Sequence, residues 1–506
     1  MSTSNNKLSF QTGLLFLLVA LLLSAPLACH NLSDPNFWFD ESGQFWMAKG
    51  LNHFSPPFSP EGSLGDALLS NRQYNLDPGG FTVLLHYWVK AGADPEWLRA
   101  LPLVFLTMTF FFLLLICQAL SGSAFTAIAV AVLALLPFDM IFSYGFELRA
   151  YGMEIAGMMA CLYFFVRTIE APTAKNLLLL GLASALFMTS RYSFIIHIAA
   201  MTVVLFFLVF RHSFKRFLVS GYGFYLPVAL VLTAIWFCML QYQSATGTGL
   251  PYLSGFLLQG KGWPEIMALI QTNLFTMKYA PFLLFAVIVP VLRATGKSLP
   301  GGTQTASIHG LWLWALSFQA FSILLSVLGK NPWAINTRWS LNLQAVVILS
   351  NCSLMILIVG YFRARATLRW NQWAKTLAVT CLVAAAMAGL NRPVHSSYDY
   401  TYRDLSSLSE RLNSSRFYVG YYSSPTVRYL FEYGPMQQRK DIYPQHFTFE
   451  HRSDYFSRSV INTRDIDMAV LALVDEAGVK RYQERFDKRF VVIAGQPLAY
   501  LLQKEE

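Results

Sequence analysis

Charge is scarce in this chain. Asp, Glu, Lys and Arg make up 13% of its 506 residues, where a soluble protein carries about a quarter. A surface so poor in charge cannot be bathed wholly in water. Cysteine is scarce too: Cys29, Cys117, Cys161, Cys238, Cys352 and Cys381 lie in or at the ends of apolar runs, and none falls in the hydrophilic C-terminal part. With no CxxC and no HExxH spacing, the sequence argues against a disulfide framework and against a zinc site built by the protein alone. There is no solenoid repeat and no low-complexity tract. "LPGG" (299–302) is a turn without the spacing of a phosphate loop.

What fills the chain instead is hydrophobic, 55% of it, in recurring runs long enough to cross roughly 30 Å of hydrocarbon. The pattern predicts a polytopic α-helical membrane protein of about eleven spans. They fall near 10–29, 98–118, 124–143, 149–167, 175–190, 193–210, 217–240, 278–293, 309–329, 341–362 and 374–390. The first could instead be a cleaved leader with Lys7 as its basic start. It is longer than a usual leader core and a polytopic chain follows, so it reads as a retained helix.

The net charge of +10 speaks for membrane orientation rather than for nucleic acid, because the basic residues sit between apolar runs. With the N-terminus inside, the inner loops hold Arg167, Lys175, Arg211, Lys215, Arg216, Arg293, Lys297, Arg363, Arg365, Arg369 and Lys375. The short outer loops hold Arg149, Arg191, Lys330 and Arg338. Two large outer loops, 30–97 and 241–277, then face the same side as the tail. Within the first, "GGFTVLLHYWV" (79–89) would reach only about 16 Å as a helix and reads as lying on the membrane surface. "SGQFWMAKGLNHF" (42–54) reads similarly. The second, rich in Gly, Ser and aromatics, is expected to be irregular and suits either a lid or an ordinary connection.

From residue 391 onward, polar residues rise and short β-rich runs alternate with helical ones. Strands are expected at 416–422, 467–474 and 488–495, with a final one at 498–503. "SPTVRYLFEYG" and "DEAGVKRYQERF" read as helices between them. The expectation is a transmembrane domain over 1–390 and a small extracytoplasmic α/β domain over 391–506.

The residues that could carry chemistry stand at the outer ends of the predicted helices. Asp40 and Glu41 follow the first; Glu147 and Arg149 open the fourth; Arg191 and Tyr192 join the fifth and sixth; Lys278 opens the eighth; Arg338 precedes the tenth. An ion placed in hydrocarbon costs roughly 2.5–3.5 kcal/mol even on lenient scales, so such charges are paired, snorkelling or functional. A carboxylate can take a proton from a hydroxyl or hold a divalent cation, Mg or Mn. Arginines can grip a phosphate by two hydrogen bonds. Against these roles stand blander ones: a helix-start acid for Asp40 or Glu41, an ion pair with Glu147 or Glu154 for Arg149, and interfacial anchoring for Arg191 and Arg338. His53 and His86 could touch a ligand but suit interfacial packing better, and Asp465 and Asp467 read as strand-edge acids rather than a nucleotide-sugar motif.

Three segments together resemble the C-type membrane glycosyltransferases, in particular the protein O-mannosyltransferases and the lipid A aminoarabinose transferases. They are "FDE" at 39–41, "DPGGFTVLLHYWVK" at 77–90 and "YGFELRAYGMEIAGMMACLYFFVR" at 144–167. Asp40 and Glu41 match the family's acidic pair; Pro78, Leu84, Leu85, His86 and Trp88 match the second segment; Glu147, Arg149 and Tyr151 match the third. Arg338 sits where the family often has "RY". The resemblance spans roughly residues 8–390. It departs at Asn75-Leu76-Asp77 and at Gly79-Gly80, where the family has a second proline and its neighbour.

The resemblance implies a polyprenyl-phosphate-linked sugar as donor, a glycan, lipid or protein hydroxyl as acceptor, inversion at the anomeric carbon, and a site at the outer face of a bacterial inner membrane with the tail in the periplasm. Asp40, backed by Glu41, would be the base or the cation-linked acid. Arg149, Arg191, Arg338 and Lys278 would hold the donor phosphate, and Glu147, Tyr151, Tyr192 and His86 would support or meet the acceptor. A transporter or lipid flippase, which needs ionisable groups at the bilayer midplane, and a non-catalytic subunit of envelope glycan assembly are the other readings.

Overall fold

A computed structural model of the chain describes residues 9–33, 37–52, 55–75, 77–136, 139–210, 215, 219–241, 258–274, 279–294, 304–331, 333, 341–363, 375–382, 384, 415–439, 443–450, 454–455, 460–496 and 499–505. The apolar runs fold as helices, as backbone N–H and C=O groups without water require. They are α1 (Phe10–Asn31), α5 (Pro95–Ser121), α6 (Ala124–Leu135), α7 (Asp139–Gly145), α8 (Tyr151–Glu170), α9 (Ala174–Met188) and α10 (Phe194–Leu205, extended by a π turn over Phe206–Phe210). Further on come α11 (Tyr222–Ile235, likewise extended to Leu240), α13 (Ala280–Ala294), α14 (Gln304–Val327) and α15 (Leu341–Arg363). Six of the described helices are long and apolar enough to cross a membrane. The polytopic expectation holds. The run expected as one helix over 124–143 is two, α6 ending at Leu135 and α7 starting at Asp139.

The surface-loop segments are helical as well. α2 (Phe39–Ala48) and α4 (Gly80–Val89) correspond to the two short apolar stretches, and α3 (Leu64–Tyr74) was not foreseen. Its start is a capping box: Asp66 N–H donates to Ser63 Oγ at 3.3 Å, and Ser63 N–H donates to the Asp66 carboxylate at 2.8 Å. The stretch 241–277, expected to be irregular, contains α12 (Trp263–Leu274). Gly262 N–H donates to Glu265 Oε2 at 2.9 Å at the head of this helix.

The tail forms β1 (Phe417–Val419), α16 (Ser424–Glu432), β2 (Phe447–Phe449), β3 (Met468–Ala472), α17 (Glu476–Arg485), β4 (Phe490–Gln496) and β5 (Ala499–Lys504). The sheet order is β2-β1-β3-β5-β4. β1 is parallel to β2 and β3, while β5 is antiparallel to β3 and β4. Tyr418, Leu471, Val479, Tyr482, Phe486, Phe490 and Leu502 fill one face of it. Asp475 caps α17 through Gly478 N–H at 2.7 Å. The strands and helices expected in the tail are there; β2, three residues long, was missed because it is too short to show a period.

The chain divides into two compact units. One comprises residues 1–29, 76–81 and 102–392, and holds the long apolar helices. In it α1 packs on α5, with Thr107 Oγ1 at 3.0 Å from Ser24 Oγ. The other comprises 30–75, 82–101 and 393–506, so most of the stretch 30–97 belongs with the α/β tail. Trp46 Nε1 donates to Pro425 O at 2.9 Å, Thr426 Oγ1 to Phe37 O at 2.6 Å, and Arg428 Nη1 to Asn52 O at 3.1 Å. The Arg428 guanidinium also lies 4.3 Å from the Trp46 ring centroid. α16 is thereby bound to α2 by buried hydrogen bonds and a cation–π contact as well as by apolar packing.

Candidate functional site

In the loop–tail unit, Asp40 and Glu41 occupy the first turn of α2, where the exposed backbone N–H groups favour negative charge. The two acids have different surroundings. Glu41 is fully buried. Its Oε2 accepts Trp38 N–H at 3.4 Å, closing the helix start, and its Oε1 accepts Arg99 Nη1 at 3.2 Å, with Arg99 also fully buried. The Arg99 guanidinium lies 4.5 Å from the Phe37 ring centroid. Asp40, one residue earlier, is partly exposed.

The rest of the unit holds this turn still. Gln44 Nε2 donates to Thr82 Oγ1 at 2.7 Å, Thr82 Oγ1 donates to Asn71 Oδ1 at 2.7 Å, and Asn75 Nδ2 donates to Gln44 Oε1 at 3.1 Å and Asn71 Oδ1 at 3.2 Å. All four side chains are buried. A closed polar ring of this kind fixes a unique arrangement of α2, α3 and α4 because slipping any member leaves a buried group unmatched. His86 is 2% exposed, with Nδ1 2.7 Å from Ala48 O. Lys49 pairs with Glu61 and lies 4.4 Å from the Tyr433 ring.

In the helical unit the charged cluster centres on Arg191, in the short turn between α9 and α10. Its Nη1 lies 3.0 Å from Glu154 Oε2 and its Nε 3.6 Å from Asp77 Oδ1, and the guanidinium sits 4.7 Å from the Tyr151 ring centroid. Glu154, in the first turn of α8 and fully buried, also accepts a hydrogen bond from Ser193 Oγ. Burial works against the charge on Arg191, but Glu154, Tyr151 and Asp77 outweigh it and leave its pKa raised. Burial, followed by the charge of Asp77, raises the neighbouring Tyr192 phenol. Two glycines make the approach of Asp77 feasible. Gly79 has φ +94°, open to glycine, and Gly80 N–H donates to Thr189 O at 2.9 Å, leaving a Cβ there only 2.0 Å from Thr189 Oγ1. The family's second proline and its neighbour would not fit this turn, which accounts for the Gly79-Gly80 departure.

Glu147 and Arg149 lie in the turn between α7 and α8, with Arg149 N–H donating to Glu147 O at 2.6 Å. Glu147 is 1% exposed and Arg149 partly exposed. Tyr151 is buried at the head of α8. Arg191, Tyr192 and Tyr151 are thus brought into one cluster. Lys278, Arg338 and His53 lie outside the described residues. Asp465 and Asp467 are tied to Arg416, through Nη1 at 2.6 Å and the backbone N–H at 2.8 Å. They serve the strand edge.

Three residues that complete these clusters escaped sequence reasoning. Arg99 lies 58 positions from Glu41 and carries no motif. Asp77 stood out only as a departure from the family pattern. Glu154 was weighed as a partner of Arg149, whereas it pairs with Arg191.

Among the described residues no three His, Cys, Asp or Glu side chains gather as a metal site. Glu41 is held by Trp38 and Arg99, and Asp40 is partly exposed. A Mg²⁺ is ordinarily held by one or two carboxylates, water and substrate phosphate oxygens.

No family model matches this chain, and no curated protein matches it. Among solved structures, ArnT from Cupriavidus metallidurans in the apo state superposes with TM-score 0.50 at 12% identity, covering 98% of each chain. The arabinosyltransferase EmbB from Mycobacterium smegmatis matches with TM-score 0.41 at 14% identity, covering 95% of this chain and 45% of that one. Identity this low speaks to fold alone, and the first match runs end to end through both chains. The apolar helices, the small C-terminal sheet and that alignment together establish that this chain has the fold of ArnT, that of a polytopic helical membrane protein with a small C-terminal sheet.

Proposed function

We propose that this chain is a glycosyltransferase that moves a sugar from a polyprenyl-phosphate donor to an acceptor hydroxyl at the outer face of a bacterial inner membrane. The observation that carries the reading is the contrast within the acidic pair. Glu41 is consumed by a buried cap and ion pair, while Asp40 stands beside it on a rigid turn, partly exposed. In this reading Glu41 serves the structure and Asp40 serves the chemistry.

In the proposed reaction the acceptor oxygen attacks the anomeric carbon as its proton passes to the Asp40 carboxylate. The bond from the anomeric carbon to the phosphate oxygen breaks, and its electron pair leaves with the polyprenyl phosphate. That anion is stable at neutral pH, so no strong general acid is needed. Arg149, partly exposed in the turn before α8, is in this proposal among the residues that hold the phosphate. Arg191 already answers two carboxylates, and its part is to fix the Asp77 turn and the start of α8. Arg338 and Lys278 complete the phosphate grip in this proposal. A divalent cation held by Asp40 would supply charge neutralisation at the phosphate.

The test is turnover by purified protein in lipid nanodiscs given radiolabelled polyprenyl-phosphate pentoses and hexoses with a membrane glycan fraction. Release of polyprenyl phosphate with label appearing in the glycan is the expected result. Transbilayer movement of the labelled lipid without cleavage would replace the proposal with a flippase.

A further inference from the structure

The helical unit holds a cavity that the proposed reaction does not use. It measures about 290 Å³ and is walled by Ile169 of α8, Leu208 and Val209 of the π turn that extends α10, and Ala306, His309 and Leu313 of α14. Ile169 follows Glu154 by fifteen positions on the single helix α8, about 22 Å along its axis. Against a hydrocarbon core of roughly 30 Å, that separation puts the cavity in the other leaflet from the Arg191 cluster. The charge bias of the short loops assigns this end of the unit to the inner side.

The cavity is built rather than left over. α10 departs from α-helical geometry over Phe206–Phe210, and π turns of this kind tend to sit at functional positions; Leu208 and Val209 of that turn are cavity wall. The α14 wall is pinned to its neighbours. Trp312 Nε1 donates to Ala286 O of α13 at 3.1 Å, and Ser307 Oγ donates to Glu170 Oε1 at 3.3 Å. At Gly310 a Cβ would stand 2.2 Å from Ile169 Cδ1, so α14 and α8 meet directly there.

Cations stand at its edge. Glu170, next to Ile169 and bonded to Ser307, also pairs with Arg167 Nη1 at 2.9 Å, which brings that partly exposed guanidinium beside the wall. Asn176 Nδ2 donates to Arg167 O at 3.1 Å and so folds the first turn of α9, with its exposed Lys175, onto the same end. Two cations against the one carboxylate of Glu170 leave this edge positive.

These features select a ligand chemistry. Aliphatic walls suit a hydrocarbon chain. A volume at the low end of ligand pockets, roughly 300–1,000 Å³, takes part of a chain rather than a whole amphiphile. Phe207 and Leu208, 58% and 39% exposed, make the approach apolar. An apolar slot with a positive edge at the end of a membrane-spanning helix is complementary to a lipid with an anionic headgroup. We infer that this cavity holds an acyl chain of an anionic phospholipid whose phosphate meets Arg167 and Lys175. The site is independent of the transfer reaction and its donor.

The experiment uses the full-length protein in detergent, stripped of lipid and then given dioleoyl phosphatidylglycerol, dioleoyl phosphatidylcholine or inorganic phosphate. Native mass spectrometry counts retained lipid, and thermal melts follow stability. The wild type should retain phosphatidylglycerol at least tenfold more tightly than phosphatidylcholine, and its melting temperature should rise with the former and not with phosphate. Ala306→Phe and Val209→Trp fill the cavity and should weaken phosphatidylglycerol retention at least tenfold. The double variant Arg167→Gln, Lys175→Gln should retain the two lipids equally. If the cavity-filling variants fail to fold, the double variant decides: lost discrimination supports the site, and unchanged discrimination overturns it. No retained lipid, equal retention of both lipids by the wild type, stabilisation by phosphate alone, or undiminished retention in folded cavity-filling variants also overturns the inference.

Discussion

Replacing Glu41 by Gln separates architecture from chemistry in the acidic pair. The substitution keeps the size of the side chain and an oxygen for Trp38 N–H, but it removes the negative charge facing Arg99. Both partners are fully buried and 3.2 Å apart, so the arginine's charge in its low-dielectric site loses this carboxylate. Breaking one side of a buried pair costs about 3–5 kcal/mol, a shift of roughly 100- to 1,000-fold or more in the folded-to-unfolded ratio. The double replacement Glu41→Leu with Arg99→Met removes both charges and should recover most of that loss. Asp40→Asn removes a charge at the helix start, where it is worth about 0.3–1 kcal/mol. Denaturant titration in detergent, read through tryptophan fluorescence, measures all four proteins. If Glu41→Gln unfolds at the wild-type midpoint, or if the double variant is less stable than Glu41→Gln, the buried-pair argument is wrong and Glu41 belongs with the chemistry.

Other expectations follow from the same contacts. Arg191→Met leaves the buried Glu154 carboxylate without its cation and frees the Asp77 turn; a loss of about 3–5 kcal/mol should appear in a thermal melt, whereas Arg149→Met should lose donor affinity. Gly80→Ala places a methyl group 2.0 Å from Thr189 Oγ1 and 2.7 Å from its backbone oxygen, so folded yield should collapse, while Gly79→Ala, strained only by its positive φ, should cost about 1–2 kcal/mol. Burial holds the phenols of Tyr418, Tyr429, Tyr443 and Tyr482 well above their usual 10.0, and pushes Tyr433 up to about 12. Because the folded values are raised, the stability tied to these protons is complete below pH 10 and is lost as pH rises beyond it, when the unfolded chain ionises and the folded one resists. Tyrosinate absorbance at 295 nm should therefore lag and then rise together with unfolding of the loop–tail unit; smooth ionisation near pH 10 without unfolding contradicts this.

Much of the fold was legible because it rests on local rules. Apolar length marks the spanning helices, and the switch to short β-rich runs marks the tail. The Asp475 cap and the Ser-Pro start of α16 mark helix beginnings that the structure keeps. What escaped is non-local. Nothing in the periodicity of residues 30–97 says that they pack with α16, since that union depends on hydrogen bonds from Trp46 to Pro425 and from Arg428 to Asn52, spanning more than 370 positions. The sites divide the same way. Sequence could name Asp40, Glu41, Arg149 and Arg191 by sidedness and resemblance. It could not tell that Glu41 is tied to Arg99, or that Arg191 answers Asp77 and Glu154, because ion pairing is decided by which helix ends meet in space.

The central claim is that Asp40 is the base of a sugar transfer driven by departure of a lipid phosphate. The decisive measurement is single-turnover cleavage of a radiolabelled polyprenyl-phosphate sugar by wild-type and Asp40→Asn protein of equal melting temperature. The account predicts loss of about 10²–10⁴-fold in rate for the variant, the range a positioned general base contributes, with cleavage by the wild type. Equal rates in the two proteins, or no cleavage by either, would contradict it.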